Sequence, residues 1–273
     1  MDSPSVTTAR PTGAGLLHAG AAATRFTLRR FPPPEDLAPF VDFCWVIRWD
    51  LRGQQAHEQQ ILPHPNVNLA FEAAGAAVFG VDRRIFTRRL SGAGKALGIR
   101  FRPGGFRPFY SRPIFSLNDR VVPAAGLFGP AADEANTVVM AADADDEMIT
   151  AAAGLLRGFG AEADPGIEQA ADLVKRITEE PGLQRVAQLA GASGLSERKL
   201  QRLFSDYVGV SPKWVMRRAR LHEAALRVEQ GGPASVDWAV LAADLGYADQ
   251  AHLTRDFTAT LGVPPTRYAA GPG

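Results

Sequence analysis

GYADQAHLTRDFTATLGVPPTRY, residues 246–268, opens on a glycine turn, runs into a short helix pattern, and stops at Gly262 before the pair Pro264–Pro265. Leu253, Phe257 and Leu261 recur every four residues, which stacks them on one helix face to be buried. Gln250, Thr254 and Arg255 fall on other faces. About 50 residues earlier, LAGASGLSERKLQRLFSDYVGVSPKW repeats the design. Leu200, Leu203, Phe204 and Tyr207 form its buried stripe, and Arg198, Gln201, Arg202 and Ser205 lie three or four residues apart on another face. Ser196 is placed to cap this helix and Gly209 to close it in the left-handed conformation. A short apolar helix pattern and a tight turn precede each unit, at 186–190 before Gly194 and at 236–245 before Gly246. The pattern predicts helix-turn-helix, twice.

Between the copies runs SPKWVMRRARLHEAALRVEQGG. Ser211 is placed as its cap, Pro212 where a helix loses nothing by lacking an amide hydrogen, and Gly231–Gly232 as its end. Trp214, Leu221, Ala225 and Val228 line one side. About 18 helical residues at ~1.5 Å each span roughly 27 Å, so the rod can hold two helices near the ~34 Å repeat of a DNA turn.

These residues resemble the AraC/XylS family of transcription regulators. Gly246, Asp249, Gln250, Arg255, Phe257, Gly262, Pro264, Pro265 and Tyr268 sit at the positions of that family's signature. Leu189, Ala190, Gly194, Ser196, Leu200, Arg202, Phe204, Gly209 and Pro212 match in the first unit, and the likeness spans 167–268. It implies a bacterial, cytoplasmic activator that binds double-stranded promoter DNA and works with RNA polymerase. It also implies a β-rich, barrel-like N-terminal domain that senses a small-molecule effector or mediates homodimerisation. ILPHPNVNLAF and GIRFRPGGFRPF are similar to the N-terminal region of uncharacterised AraC-type regulators.

By alignment of those motifs the base-reading group is Arg198, Lys199, Gln201, Arg202 and Ser205, then Gln250, Ala251, His252, Thr254 and Arg255. Arginine can bond guanine through two atoms, glutamine adenine, and a threonine or alanine methyl can touch thymine. Ala251 stands where many relatives carry a polar residue, which thins readout by the second copy. Ser196, Lys213, Arg217 and Arg218 are phosphate-contact candidates; a solvated helix face accounts for the rod arginines equally well. Glu197 and Asp249 read as helix-start acids.

At 273 residues the chain exceeds one typical domain. Its net charge of +1 does not advertise a nucleic-acid binder, but the distribution is uneven. Residues 131–172 carry ten acids against the single base Arg157, while Arg217, Arg218, Arg220 and Arg227 cluster on the rod. No apolar run approaches the ~18 residues of a membrane span. Cys44 is the only cysteine, so it forms no internal disulfide and supplies no multi-thiolate zinc site. That excludes the DNA-repair alkyltransferases that carry an AraC-like module. Cys44 reads as a buried strand residue.

The expected order is a mobile leader over 1–25, a β-rich domain over 26–130, a helical connector over 131–164 and an all-α DNA-binding domain over 165–273, an α+β chain overall. Short apolar runs at 60–62, 67–71, 77–81, 85–90 and 96–101, separated by Pro, Gly and Asn, predict an antiparallel sheet or barrel. Trp45, Ile47 and Trp49 alternate on one strand face. Residues 143–147 read as a charged turn, and Asp164 with Pro165 as the start of the next helix.

Candidates for an effector pocket are Trp45, Trp49, His64, Asn66, Asn68, Phe71, Arg100 and Phe106. Core packing accounts for Phe106 and surface ion pairing for Arg100 as readily. His57, Glu58 and His64 fit neither the cupin metal spacing nor HExxH, and His222 reads as a solvated or phosphate-facing residue. There is no GxSxG elbow, P-loop or GxGxxG after a strand, so no enzyme, cofactor or metal site is expected. The alternatives are a DNA-binding module fused to a metal-dependent enzyme domain, or an interaction scaffold that works without an effector.

Overall fold

The period-two pattern of the N-terminal half forms two antiparallel ladders in the computed structural model, which describes residues 15–180, 182–231 and 236–270. The strands are β1 (Thr27–Phe31), β2 (Val41–Leu51), β3 (His57–Ile61), β4 (Asn68–Glu72), β5 (Gly75–Phe79), β6 (Phe86–Leu90), β7 (Gly92–Phe101) and β8 (Val121–Pro123). Six of them make one sheet in the order β1-β2-β7-β4-β5-β8, and β3 pairs with β6 in a second. The alternation on β2 sorts its side chains between two environments. Cys44 and Val46 face a core with Leu69, Phe71, Val78, Leu97, Ile99 and Phe101, whereas Phe43, Trp45, Ile47 and Trp49 face a cavity between the sheets. Burial pushes the Cys44 thiol up to about 11, as befits a core residue.

The helices are α1 (Ala19–Ala22), α2 (Ala125–Phe128), α3 (Ala131–Ala141), α4 (Asp145–Phe159), α5 (Pro165–Glu179), α6 (Val186–Ala192), α7 (Glu197–Leu203), α8 (Pro212–Gly231), α9 (Trp238–Asp244), α10 (Gln250–Leu261) and α11 (Pro265–Ala269). Within the expected helical connector, α3 and α4 supply the layer over the sheet: Ala132, Val139, Met148, Ala152 and Leu156 join the strand residues in one core. The acidic stretch at 143–147 is not simply a turn, because α4 begins within it. Asp145 is 8% exposed, held by Arg29 at 2.6 Å and Arg48 at 2.7 Å.

Both helix-turn-helix units close their turn in the same way. Leu195 donates to the Ala190 carbonyl at 3.0 Å and Tyr247 to that of Ala242 at 2.9 Å, each bond spanning a glycine, Gly194 with φ 66° and Gly246 with φ 72°. A left-handed glycine in that place ends the first helix and turns the chain into the second. Ser196 accepts from the Lys199 amide at 3.3 Å and Asp249 from the His252 amide at 2.6 Å, capping α7 and α10. The first unit departs from a plain α-helix at its end. Residues Phe204–Val208 form a π-helical turn, closed by the Gly209 amide on the Phe204 carbonyl at 2.7 Å, and it buries both Phe204 and Val208.

The 20 residues of α8 measure about 30 Å along the axis. Val215 and Met216 enter the core shared by the first unit and the N-terminal domain, while Leu221, Ala224, Ala225 and Val228 enter a second core with Leu241, Leu253, Phe257, Leu261 and Tyr268.

Residues 15–25 correct the expectation of a leader; residues 1–14, the rest of that expectation, lie outside the described residues. Leu17 and Leu62 belong to the second core, backbone bonds Leu17 to Gln60 (3.1 Å) and Leu62 to Gly15 (2.7 Å) extend the β3 edge, and the His18 ring lies 4.4 Å from Tyr268. Two adjacent leucines carry no period, so the sequence offered no strand or helix signal there.

Two loops complete the joint, the one before β8 and the one after β3. Asn118 donates to the Gly209 carbonyl at 2.7 Å, and His64 stacks on His222 of α8 at 3.9 Å with the planes 9° apart. His222, expected to be solvated or to face phosphate, instead donates from Nε2 to the Pro63 carbonyl at 3.4 Å. Burial, reinforced by the Arg218 charge, pushes its pKa down to about 3 against that hydrogen bond.

Two outcomes follow for stability. A base whose folded pKa lies below its unfolded value of about 6.5 contributes fully above that pH, and the contribution is lost as pH falls toward 3. Between pH 7 and pH 5 the wild type should therefore lose about 1–2 kcal/mol more unfolding free energy than His222→Phe, read by urea denaturation; equal slopes would show that His222 is not held neutral. Asp145→Ala should cost about 2 kcal/mol in the same assay, less than a fully buried pair because Arg29 stays largely in water.

Candidate nucleic-acid interface and effector cavity

Burial of Leu200 on one face of α7 leaves Arg198, Lys199, Gln201 and Arg202 exposed on the other, with Ser205 half-buried just beyond the helix. On α10, burial of Leu253, Phe257 and Leu261 exposes Gln250, Ala251, His252 and Arg255 and leaves Thr254 half-buried. Arg202 has only a loose pairing, Asp206 at 3.6 Å, and is 85% exposed along its side chain. The His252 ring stands edge-on to Tyr247 at 5.1 Å, fixing one side of that exposed row.

Of the phosphate candidates, Lys213 is exposed in the first turn of α8 and Ser196 is exposed but occupied as the cap of α7. Arg218 is a correction. It is 4% exposed, lies over the Trp214 ring at 4.5 Å and donates to the Arg83 carbonyl at 2.9 Å, so it ties α8 to the N-terminal domain and offers nothing to DNA. Burial, then repulsion by Arg217, pushes its pKa down to about 10, which still leaves it charged at neutral pH. Arg217 is paired with Asp256 of α10. Arg220 lies over the Tyr247 ring at 5.1 Å, and Arg227 pairs with Glu223 at 2.6 Å and Asp244 at 2.9 Å. The arginine cluster on the rod is thus mostly internal bracing. Sequence reading missed Asp256, which also accepts from the Tyr247 hydroxyl at 2.8 Å; an acid on the polar side of an amphipathic helix gives no sign of its partner.

The cavity between the ladders has a volume of about 290 Å³. It gathers six of the eight pocket candidates: Trp45, Trp49, His64, Asn66, Asn68 and Arg100. Phe71 and Phe106 are corrections, for both point into the opposite core, at 0% and 1% exposure; Phe106 packs on Phe101 at 4.8 Å. Phe43, Phe79, Phe86 and Arg30 also line the cavity. Phe43 was legible, since it shares the parity of Trp45, Ile47 and Trp49.

Arg100 donates to Asn66 Oδ1 at 2.8 Å, lies over the Phe43 ring at 5.1 Å, and has Asp42 at 3.3 Å. Burial, opposed by Asp42 and reinforced by Arg30, brings its pKa down to about 10. His57 sits apart from His64, bonded to Gln59 at 3.3 Å and against Phe26. Among the described residues no three His, Cys, Asp or Glu side chains converge as metal ligands, and no helix is long and apolar enough to cross a membrane.

Residues 29–123 match the family model of a domain of unknown function, DUF6597, and residues 189–271 match that of a helix-turn-helix domain. No curated protein matches the chain. Among solved structures, ToxT from Vibrio cholerae is similar at 13% identity and TM-score 0.40, covering 90% of this chain and 98% of its own. The C-terminal domain of AraT, a response regulator from Geobacillus stearothermophilus, is 18% identical with TM-score 0.35 over 40% of this chain and 87% of its own. The regulator CdpR from Pseudomonas aeruginosa is 16% identical with TM-score 0.29, over 66% and 46%. With its twin glycine-turn units and the family match on the same residues, the C-terminal domain is a helix-turn-helix domain of the AraC type.

Proposed function

We propose that this regulator reads two successive major-groove segments of promoter DNA, one with α7 and one with α10, and that a small molecule in the N-terminal cavity governs the reading. The observation that carries the first half is the pairing of two identically closed units through one rod of about 30 Å, each with an uncommitted polar face. Arg198, Gln201 and Arg202 are the base readers of the first unit, and Gln250, Thr254 and Arg255 those of the second. Lys199, Lys213 and Ser205 contact the backbone. His252 and Ala251 flank the second reading face.

The second half is supported by one segment with two neighbours. His64 and Asn66 line the cavity, while Pro63 and His64 touch His222 on the rod. Occupancy of the cavity then biases the position of α8, which both units share. In this reading residues 26–164 act as the sensing part and 165–273 as the DNA-binding part, and promoter-bound protein recruits RNA polymerase. The chain performs no catalysis of its own.

Selection of bound duplexes from a random library should enrich a motif with two elements about one helical turn apart; a single short element would remove the double reading. On the selected site Arg202→Ala should cost about 1–3 kcal/mol while barely affecting random duplex, if it reads a base. Lys213→Ala should reduce the slope of log affinity against log salt by about one, and Arg218→Ala should leave that slope unchanged. A shallower slope in Arg218→Ala would return that residue to the DNA contact surface.

A further inference from the structure

The walls of the cavity have a chemistry of their own. Trp45 and Trp49 on β2 lie opposite Gly98 and Gly94 on β7. A β-carbon on Gly98 would stand 2.0 Å from the Trp45 ring, and one on Gly94 2.4 Å from the Trp49 ring. Both indoles therefore lie down across the neighbouring strand, a packing that only glycine permits, and form a flat aromatic wall. The pair recurs at the same spacing on both strands. At the end of the cavity nearest the 62–66 segment the register places Phe43, Arg100 and Asn68 in one row across β2, β7 and β4.

Charge at that end is positive. The guanidinium groups of Arg30 and Arg100 lie 5.0 and 5.1 Å from the Phe43 ring on strands flanking it, with Asp42 as the nearby acid. Arg100 Nε is buried without a hydrogen bond of proper geometry. The other carboxylates around the cavity are engaged: Glu72 with Arg88, Asp119 with Arg83, and Asp82 with the Arg84 amide at 3.1 Å. A buried cation in an apolar chamber favours an anionic partner that shares its low-dielectric surroundings.

We propose that the cavity binds a flat, largely apolar molecule bearing one carboxylate, its ring system against Trp45 and Trp49 and its carboxylate on Arg100. The proposal rests on the effector reading above and gives it a ligand class. A sugar or a polyanion is disfavoured by the same walls, for two indoles and four phenylalanines leave most hydroxyls of a polyol, or a second negative charge, without a partner.

The test uses full-length protein and two probes of equal shape, 2-naphthoate and its neutral counterpart 2-naphthamide, with binding read by calorimetry and by quenching of tryptophan fluorescence. Saturable binding of naphthoate at least tenfold tighter than naphthamide is expected, with the preference lost in Arg100→Gln and retained in Arg100→Lys. Because Arg100→Gln disturbs a partly buried site, Ala70→Leu, which fills the cavity from β4 without touching the arginine, provides a second check and should weaken both probes together. Equal binding of acid and amide, or no saturable binding of either, overturns the ligand class. DNA affinity measured with and without naphthoate separates the two claims: naphthoate that binds as expected but leaves DNA affinity unchanged supports the ligand class and counts against effector control.

Discussion

The interaction on which the rest depends is the burial of one helix in two cores. The first half of α8 completes the core that joins the N-terminal domain to the first helix-turn-helix unit, and its second half, through Leu221, Ala224, Ala225 and Val228, completes the core of the second unit. Helices as short as α6, α7 and α9, seven residues each, are held by packing rather than by their own propensity, and α8 supplies a face against which each unit packs. Two short recognition elements thereby acquire a fixed separation and orientation from a single rigid part. That is a stronger constraint than a linker could provide, for a helix of this length does not change its reach.

The electrostatics follow from the same arrangement. A chain with net charge +1 cannot rely on overall attraction to DNA, and its rod arginines are spent on holding parts together: Arg218 across to the Arg83 carbonyl, Arg217 to Asp256, Arg227 to Asp244. In the proposed reading, what remains for DNA is local, on the exposed rows of α7 and α10 and on Lys213. Such a surface supplies a modest nonspecific term and leaves discrimination to contacts with base edges.

The C-terminal half was legible because its signals are local. A four-residue apolar repeat, a glycine two residues before each capping residue or three before it, and a proline after each closing glycine fix helices and turns without knowledge of anything distant. The strands of the N-terminal half were legible from alternation, although β1 and β8 escaped: TLRRF is mostly exposed, and three residues carry no period. What could not be read was which partner a polar residue finds across the fold. Arg218 and His222 sit on a helix face that looks solvent-facing by sequence, and they are covered by two loops far earlier in the chain, at Arg83 and at Pro63. Phe71 was misplaced against its own parity, which is opposite to that of Asn68 on β4, and Phe106 lies past the end of β7, where no strand period applies.

The segment between Leu62 and Asn66 is one wall of the cavity on one side and the seat of α8 on the other. Any free energy passing through it is reciprocal: a molecule in the cavity that changes the affinity for DNA tenfold has its own affinity changed tenfold by DNA. Protein already seated on a promoter and protein free in solution would then respond at different concentrations of the same molecule. The threshold of the response would be set by the supply of DNA sites as well as by the shape of the cavity.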